Sequence, residues 1–227
     1  MFDSIRVVAI DGPTGSGKGT ISRQLARRLG WHLLDSGALY RLVALAAIEQ
    51  GISMNDPVRL VRIATTMDIE FSSAEDNERI LLSNIDVTTR IRTEDCGVAA
   101  SKIASQPTVR TALLQRQRGF LRAPGLVADG RDMASVVFPD ALVKVFLTAT
   151  EVERVKRRHN QLKQKGIDVS LPALSREIAE RDKRDANRKV APLKPADGAY
   201  ILDSTEMTPD QVVDRVCGWL GVAVGCV

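Results

Sequence analysis

Histidine, cysteine and aromatic residues are all scarce in this chain of 227 residues, and each shortage removes a class of function. The three cysteines, Cys96, Cys217 and Cys226, have no metal-ligand spacing and no evident pairing. That argues against a zinc module or a disulfide framework and predicts reduced thiols, as in a cytoplasmic protein. The two histidines, His32 and His159, have no nucleophile or metal partner in sequence, so neither is given a role. Two Trp, two Tyr and five Phe supply too few stacking platforms for a non-enzymatic nucleic-acid binder. No apolar run reaches the roughly 20 residues that span a bilayer. Met1-Phe2-Asp3-Ser4 does not open a basic region followed by an apolar stretch, so a cytoplasmic protein without membrane attachment is expected. The net charge of +4 is modest, and the positions of the arginines matter more than their number.

Hydrophobic residues make up 44% of the chain, enough for an ordinary core. Residues 5–10 form a short, mostly β-branched run ending at Asp11-Gly12, the pattern of a buried parallel strand. Beyond a glycine-rich stretch, Ile21, Leu25 and Leu29 recur every four residues and Gly30 supplies a stop, which predicts a helix. A second strand is expected over 31–34 and an Ala/Leu-rich helix over about 38–50. The texture changes over 51–106, where short strand-like pieces at 68–71, 79–82 and 85–87 predict a small antiparallel sheet and 98–104 a helix. Pro107 opens another helix ending near Arg122. Residues 126–128 and 141–147 return to the parallel-strand pattern. Thr150 and Glu153 predict a capping box for a basic helix, and Thr208, Pro209 and Gln211 begin the last one. Strands alternating with helices predict an α/β doubly wound parallel sheet interrupted by an inserted subdomain.

The stretch between the first strand and helix is Gly12-Pro13-Thr14-Gly15-Ser16-Gly17-Lys18-Gly19-Thr20. Glycines let successive N–H groups converge on phosphate oxygens, and the helix adds its positive N-terminal end. Lys18 can reach the β- and γ-phosphates of ATP, and a hydroxyl can serve a Mg²⁺ shell. Gly19 occupies the usual Ser/Thr position, which moves that hydroxyl to Thr20.

Further along, Leu171, Leu174, Ile178, Arg181, Asp185 and Arg188 recur at spacings of three and four, predicting one helical stripe. Its apolar half should face the core, and its charged half should line a cavity for an anion. Asp35-Ser36-Gly37, with Arg41 one turn later, and Asp129-Gly130-Arg131-Asp132 each follow a predicted strand. Residues just beyond strand C-termini line the ligand crevice of such sheets, which puts Arg131 and Asp132 beside the glycine loop. An arginine-lined crevice suits phosphoryl transfer, where catalysis is mostly positioning and charge neutralisation. The run Lys156-Arg157-Arg158-His159 reads instead as a solvated face, with a lid over the triphosphate as the alternative.

Gly12 to Thr20, read with Leu33-Leu34-Asp35-Ser36-Gly37-Ala38-Leu39-Tyr40-Arg41 and Asp129-Gly130-Arg131-Asp132-Met133, closely resembles the bacterial cytidylate kinase family. Arg181, Asp182, Arg184, Asp185, Asn187, Arg188 and Ala191-Pro192-Leu193 extend the resemblance, which fades only after Gly218. The resemblance implies a P-loop NTPase core (1–50 and 107–227), an inserted α+β monophosphate-binding subdomain (51–106) and a short helical lid (about 154–190). It implies transfer of the ATP γ-phosphoryl group to CMP or dCMP with Mg²⁺, by a monomer that binds no nucleic acid. Gly12, Pro13, Thr14, Gly15, Ser16, Gly17, Lys18, Gly19 and Thr20 would bind ATP, with Thr20 on the metal. Lys18, Arg41, Arg131 and Arg188 would be catalytic, the three arginines holding the acceptor phosphate. Ser36, Arg181 and Asp185 would contact the sugar, and Ser101, Arg110 and Asp132 the cytosine edge. The family usually follows Asp-Gly-Arg-Asp-Met with Gly-Thr, whereas this chain has Ala134-Ser135.

Other readings keep the fold and change the acceptor to UMP, AMP or another small alcohol or phosphate. A GTP-dependent switch needs an N-K-x-D segment, which Asn187-Arg188-Lys189-Val190 does not supply. A motor ATPase commonly has Glu after its Mg²⁺-associated Asp, and Asp129 is followed by Gly130.

Overall fold

Arg6–Asp11 forms β1, whose last five residues are all buried, as its β-branched composition requires. The structure, a computed structural model, describes residues 5–74, 77–164, 166 and 168–221. The readings made on residues 1–4 and on Cys226 lie outside the described residues. After β1 come α1 (Lys18–Leu29), β2 (His32–Asp35), α2 (Ser36–Glu49) and α3 (Pro57–Thr66). Strands β3 (Ile69–Ala74), β4 (Asn77–Leu82) and β5 (Ile85–Asp86) follow, then α4 (Glu94–Ile103) and α5 (Pro107–Arg118). The chain ends with β6 (Gly125–Gly130), β7 (Val143–Thr148), α6 (Glu151–Lys163), α7 (Leu171–Ala186), β8 (Tyr200–Asp203) and α8 (Pro209–Trp219).

The chain divides into two units, Met1–Asp35 with Gln117–Val227, and Ser36–Arg116. In the first, five strands run in the order β2-β6-β1-β7-β8, and every neighbouring pair is parallel. The chain leaves β1 toward both edges, so the winding reverses at the C-terminal end of β1, where such sheets bind ligands. Val8, Ile10, Val127, Val145 and Leu147 meet Ile21 and Leu25 of α1 and Val212 and Val216 of α8 in one buried cluster. Gly30 ends α1 in a left-handed conformation (φ 62°), as a C-terminal glycine stop should. The α8 capping box is complete, with Thr208 and Gln211 each bonded to the other's backbone. At α6 only half of the expected box forms. Thr150 accepts from the Glu153 N–H, while the Glu153 carboxylate pairs with Arg157.

In the second unit α2 is buried over most of its circumference, and β3-β4-β5 form the antiparallel sheet expected from the short strand-like runs. Ser83 (φ 48°) and Asn84 (φ 63°) make the two-residue turn between β4 and β5. Helix α3 was not anticipated. Asp56 caps it by accepting the Arg59 N–H, and Pro57 occupies its first turn. The expected 51–106 insertion falls inside this unit. Among the described residues no helix is long and apolar enough to cross a membrane.

Candidate active site

The glycine loop gets its path from close approach and backbone sign. A Cβ on Gly12 would stand 2.1 Å from the Leu147 carbonyl oxygen of β7, so only glycine fits. Gly15 (φ 79°) and Gly17 (φ 90°) are left-handed, the geometry in which successive N–H groups turn toward one anion. Gly17 is also the residue that opens α1. Lys18 follows, nearly buried, with Nζ donating to the Pro13 carbonyl across the loop at 3.0 Å. Burial, helped by the positive charge of Arg131, lowers its pKa to about 7. Phosphate oxygens arriving at Nζ would favour the charged form again. Thr20 is exposed on the first turn of α1.

The loop is held from outside by α6. Arg154 Nη1 donates to the Thr14 carbonyl (2.8 Å), and Arg157 Nη1 to the Ser16 carbonyl (3.2 Å). Arg157 also donates to Oγ (3.0 Å) and the carbonyl (2.6 Å) of buried Ser204, tying the loop to the end of β8. Asp182 of α7 pairs with Arg154 and accepts the Thr14 N–H at 3.1 Å. The reading of 156–159 as a solvated face is therefore corrected at Arg157, although Lys156 remains exposed. Arg154 and Arg157 are three residues apart, one helical face, and that spacing is the signal that was available.

At the end of β6, Asp129 Oδ1 is buried and accepts no hydrogen bond among the described residues. Its other oxygen, Oδ2, lies 3.3 Å from where a Cβ on Gly19 would stand. Burial raises the Asp129 pKa to about 6, against the opposing charge of Lys18. Arg131 spans three partners: Nε donates to Asp185 Oδ2 (3.0 Å), Nη1 to the Gly130 carbonyl (3.1 Å) and Nη2 to Thr14 Oγ1 (3.1 Å). Asp185 meets Arg188 through its other oxygen. Burial alone would raise the Asp185 pKa, but the charges of Arg131, Arg188 and Arg181 outweigh it and hold the carboxyl below its usual range. Arg181 and Asp185 are also close enough to act on Lys18.

The predicted stripe is corrected at both ends. Leu171 is exposed, and Arg188 lies past Asn187, the residue that closes α7. Leu174, Ile178 and Asp185 are buried as expected.

Asp132 is buried and precedes a π-helical turn, Met133–Val137. Asp11 Oδ1 accepts the Met133 N–H (2.8 Å) and Oδ2 the Ala134 N–H (2.9 Å). Burial pushes the Asp11 pKa up to about 7, despite these two bonds. Ala134 is buried and absent from the positive-φ residues, so alanine fits where the resemblance led one to expect glycine.

Four candidates belong to the second unit. Ser36 opens α2 and is buried. Arg41 Nη1 donates to the carbonyls of Ile91 (2.7 Å) and Thr93 (3.2 Å), and a Cβ on Gly97 would come within 2.9 Å of its guanidinium. Ser101 is buried in α4, its Oγ without a hydrogen-bond partner among the described residues. Arg110 in α5 is buried, donates to the Ala104 carbonyl (3.1 Å) and lies over the Tyr40 ring at 5.8 Å.

The model of the family described as "Cytidylate kinase" matches residues 8–220. A cytidylate kinase from Pseudomonas paraeruginosa is 56% identical over 95% of this chain and 95% of its own. One from Methylococcus capsulatus is 54% identical over 96% and 97% respectively. Among solved structures, a gluconokinase from Sinorhizobium meliloti is matched at 15% identity and a TM-score of 0.49, over 95% of this chain and 91% of that one.

Proposed function

The chain belongs to the cytidylate kinase family, and from that premise we propose that it transfers the γ-phosphoryl group of ATP to CMP or dCMP, giving ADP and CDP or dCDP. The observation that carries this reading is Arg131, whose guanidinium reaches both Thr14 of the glycine loop and Asp185 of α7. An acceptor phosphate meeting that fork would lie beside the donor phosphates.

Residues 12–20 bind ATP, with loop N–H groups and Lys18 on its phosphates. Arg131 and Arg188 in the first unit and Arg41 in the second take the acceptor phosphate, planar forks suited to bidentate contacts. Arg181, Asp185 and Ser36 contact the sugar. Asp132, Ser101 and Arg110 read cytosine. A carboxylate accepts from the 4-amino group of cytosine, whereas uracil presents a carbonyl oxygen there. That mismatch weakens UMP by about 1–3 kcal/mol. In the transfer, an acceptor phosphate oxygen forms a bond to the γ-phosphorus as the bond to the β,γ-bridging oxygen breaks. No side-chain base is needed, because an acceptor phosphate with a second pKa of about 6 is largely a dianion at neutral pH.

The donor set suits Mg²⁺, a hard cation that prefers oxygen. The partnerless Oδ1 of buried Asp129 and the Thr20 hydroxyl would hold it, directly or through water. When bound, Mg²⁺ neutralises charge on the β- and γ-phosphates. The free thiols of buried Cys96 and Cys217 are in keeping with a cytoplasmic enzyme.

A coupled ADP-release assay with CMP, dCMP, UMP and AMP tests the reading. Turnover should be fast with CMP or dCMP, slower with UMP, and low without acceptor. Equal rates for all four, or none above background, refute it.

A further inference from the structure

Asp11 is a buried carboxylate spent on two backbone N–H groups. Those groups belong to Met133 and Ala134, the first two residues of the turn that follows Asp132. The opening N–H groups of any helical turn lack partners inside it, and here Asp11 supplies both. The other side of the same peptide unit is also fixed. The Asp132 carbonyl accepts from the N–H of Val136 (2.9 Å) and Val137 (3.2 Å). With the carbonyl of Asp132 held by the turn and the next N–H held by Asp11, the Asp132 backbone (φ −147°, ψ 24°) has little freedom. Its Cα–Cβ direction is set, which limits the positions its carboxylate can reach.

We propose that Asp11 is a positioning residue for base choice, acting through the Met133–Val137 turn to aim Asp132. It is also the residue immediately before Gly12, so one carboxylate registers the base-reading turn against the start of the phosphate loop. This inference rests on the reading of Asp132 as the cytosine contact. A residue serving only to stabilise the turn would affect all acceptors equally. A positioning residue affects the ratio between them.

The test compares kcat/KM for CMP and for UMP in wild type, Asp11→Asn, Asp132→Asn and the double variant, with KM for ATP measured alongside. Asparagine keeps the shape of Asp11 but turns an N–H donor toward one of the two backbone N–H groups. Asp11→Asn should lower the CMP-to-UMP ratio by about tenfold or more, the scale of a lost hydrogen bond to a charged group. The loss should appear mainly as a higher KM for CMP, with KM for ATP within about twofold of wild type. Adding Asp11→Asn to Asp132→Asn should leave the ratio where Asp132→Asn alone puts it. Equal losses on CMP and UMP, or a KM for ATP that rises in step, overturn the inference. If Asp132→Asn leaves the ratio unchanged, the reading of Asp132 fails and this inference falls with it. Should Asp11→Asn not fold, Asp11→Ser, whose single oxygen stops an atom short, releases both N–H groups without a misdirected amide, and an unchanged ratio there overturns the proposal equally.

Discussion

Asp185 lies between two arginines, and replacing it with alanine tests whether the site is held together by charge. Its side chain is 1% exposed, with Arg131 at 16% and Arg188 at 5%. Asp185→Ala therefore leaves two guanidinium groups facing each other with little access to water. Removing one member of a buried pair destabilises by about 3–5 kcal/mol. Arg131 keeps its bonds to Gly130 and Thr14, which places the expected loss near the lower end, about 3 kcal/mol. For a chain of this size each kcal/mol lowers Tm by about 2–4 °C, so a fall of about 6–12 °C follows. Thermal melts followed by circular dichroism would read it. Inorganic phosphate offers both arginines a replacement anion and should recover part of the loss, with less effect on wild type. The pH dependence has a definite sign. Because the folded carboxyl titrates below its usual range, the unfolded chain binds the extra proton first in acid. The stabilisation is complete above the ordinary carboxylate pKa of about 4 and is lost as pH falls through the lowered folded value. The Tm gap between wild type and Asp185→Asn should thus be full at pH 7 and close in acid. A Tm for Asp185→Ala within about 2 °C of wild type, less than one kcal/mol on this scale, would refute the reasoning. So would a gap that widens as pH falls.

Gly12→Ala places a methyl 2.1 Å from the Leu147 carbonyl oxygen, so the loop or β7 must move by about 1 Å; misplacement on that scale costs about 100-fold in kcat/KM for ATP, and a change under twofold would contradict it. Arg157→Ala frees the Ser16 carbonyl from α6 and should raise KM for ATP about tenfold, the scale of a lost charged hydrogen bond, with KM for CMP nearly unchanged. Arg157→Lys should not restore it, because one ammonium lacks the fork that reaches both Ser16 and Ser204; full recovery in steady-state kinetics would count against the clamp.

The local rules that made parts of this molecule readable are those with short-range causes. The β-branched run of β1, the glycines of the loop and the Thr208–Gln211 box each act within a few residues. Helix α3 has a local start signal in Asp56-Pro57, but the strand-like pieces that follow it mask its helical pattern. Arg157 was misread for a different reason. A run of consecutive basic residues points around the whole helix, and Arg157 stands out from it only when paired with Arg154, one turn earlier and outside the run, on the face that packs against the loop. Arg188 was expected on the same helical stripe as Asp185, but it is not part of the helix. It reaches Asp185 from beyond the end of α7, where helical spacing no longer governs. Asp11 was visible only as the end of a strand, since its partners lie more than 120 positions away.

Two of the α6 arginines, Arg154 and Arg157, grip carbonyl oxygens, not side chains, of Thr14 and Ser16. The shape of the nine-residue loop is thus partly archived in a helix about 140 positions downstream. Transplanting Gly12 to Thr20 alone into another strand–helix junction would carry the spelling without the scaffold that keeps its amides facing inward. At buried position 16 another small residue would still offer the main-chain carbonyl, whereas at 154 or 157 only arginine offers the fork.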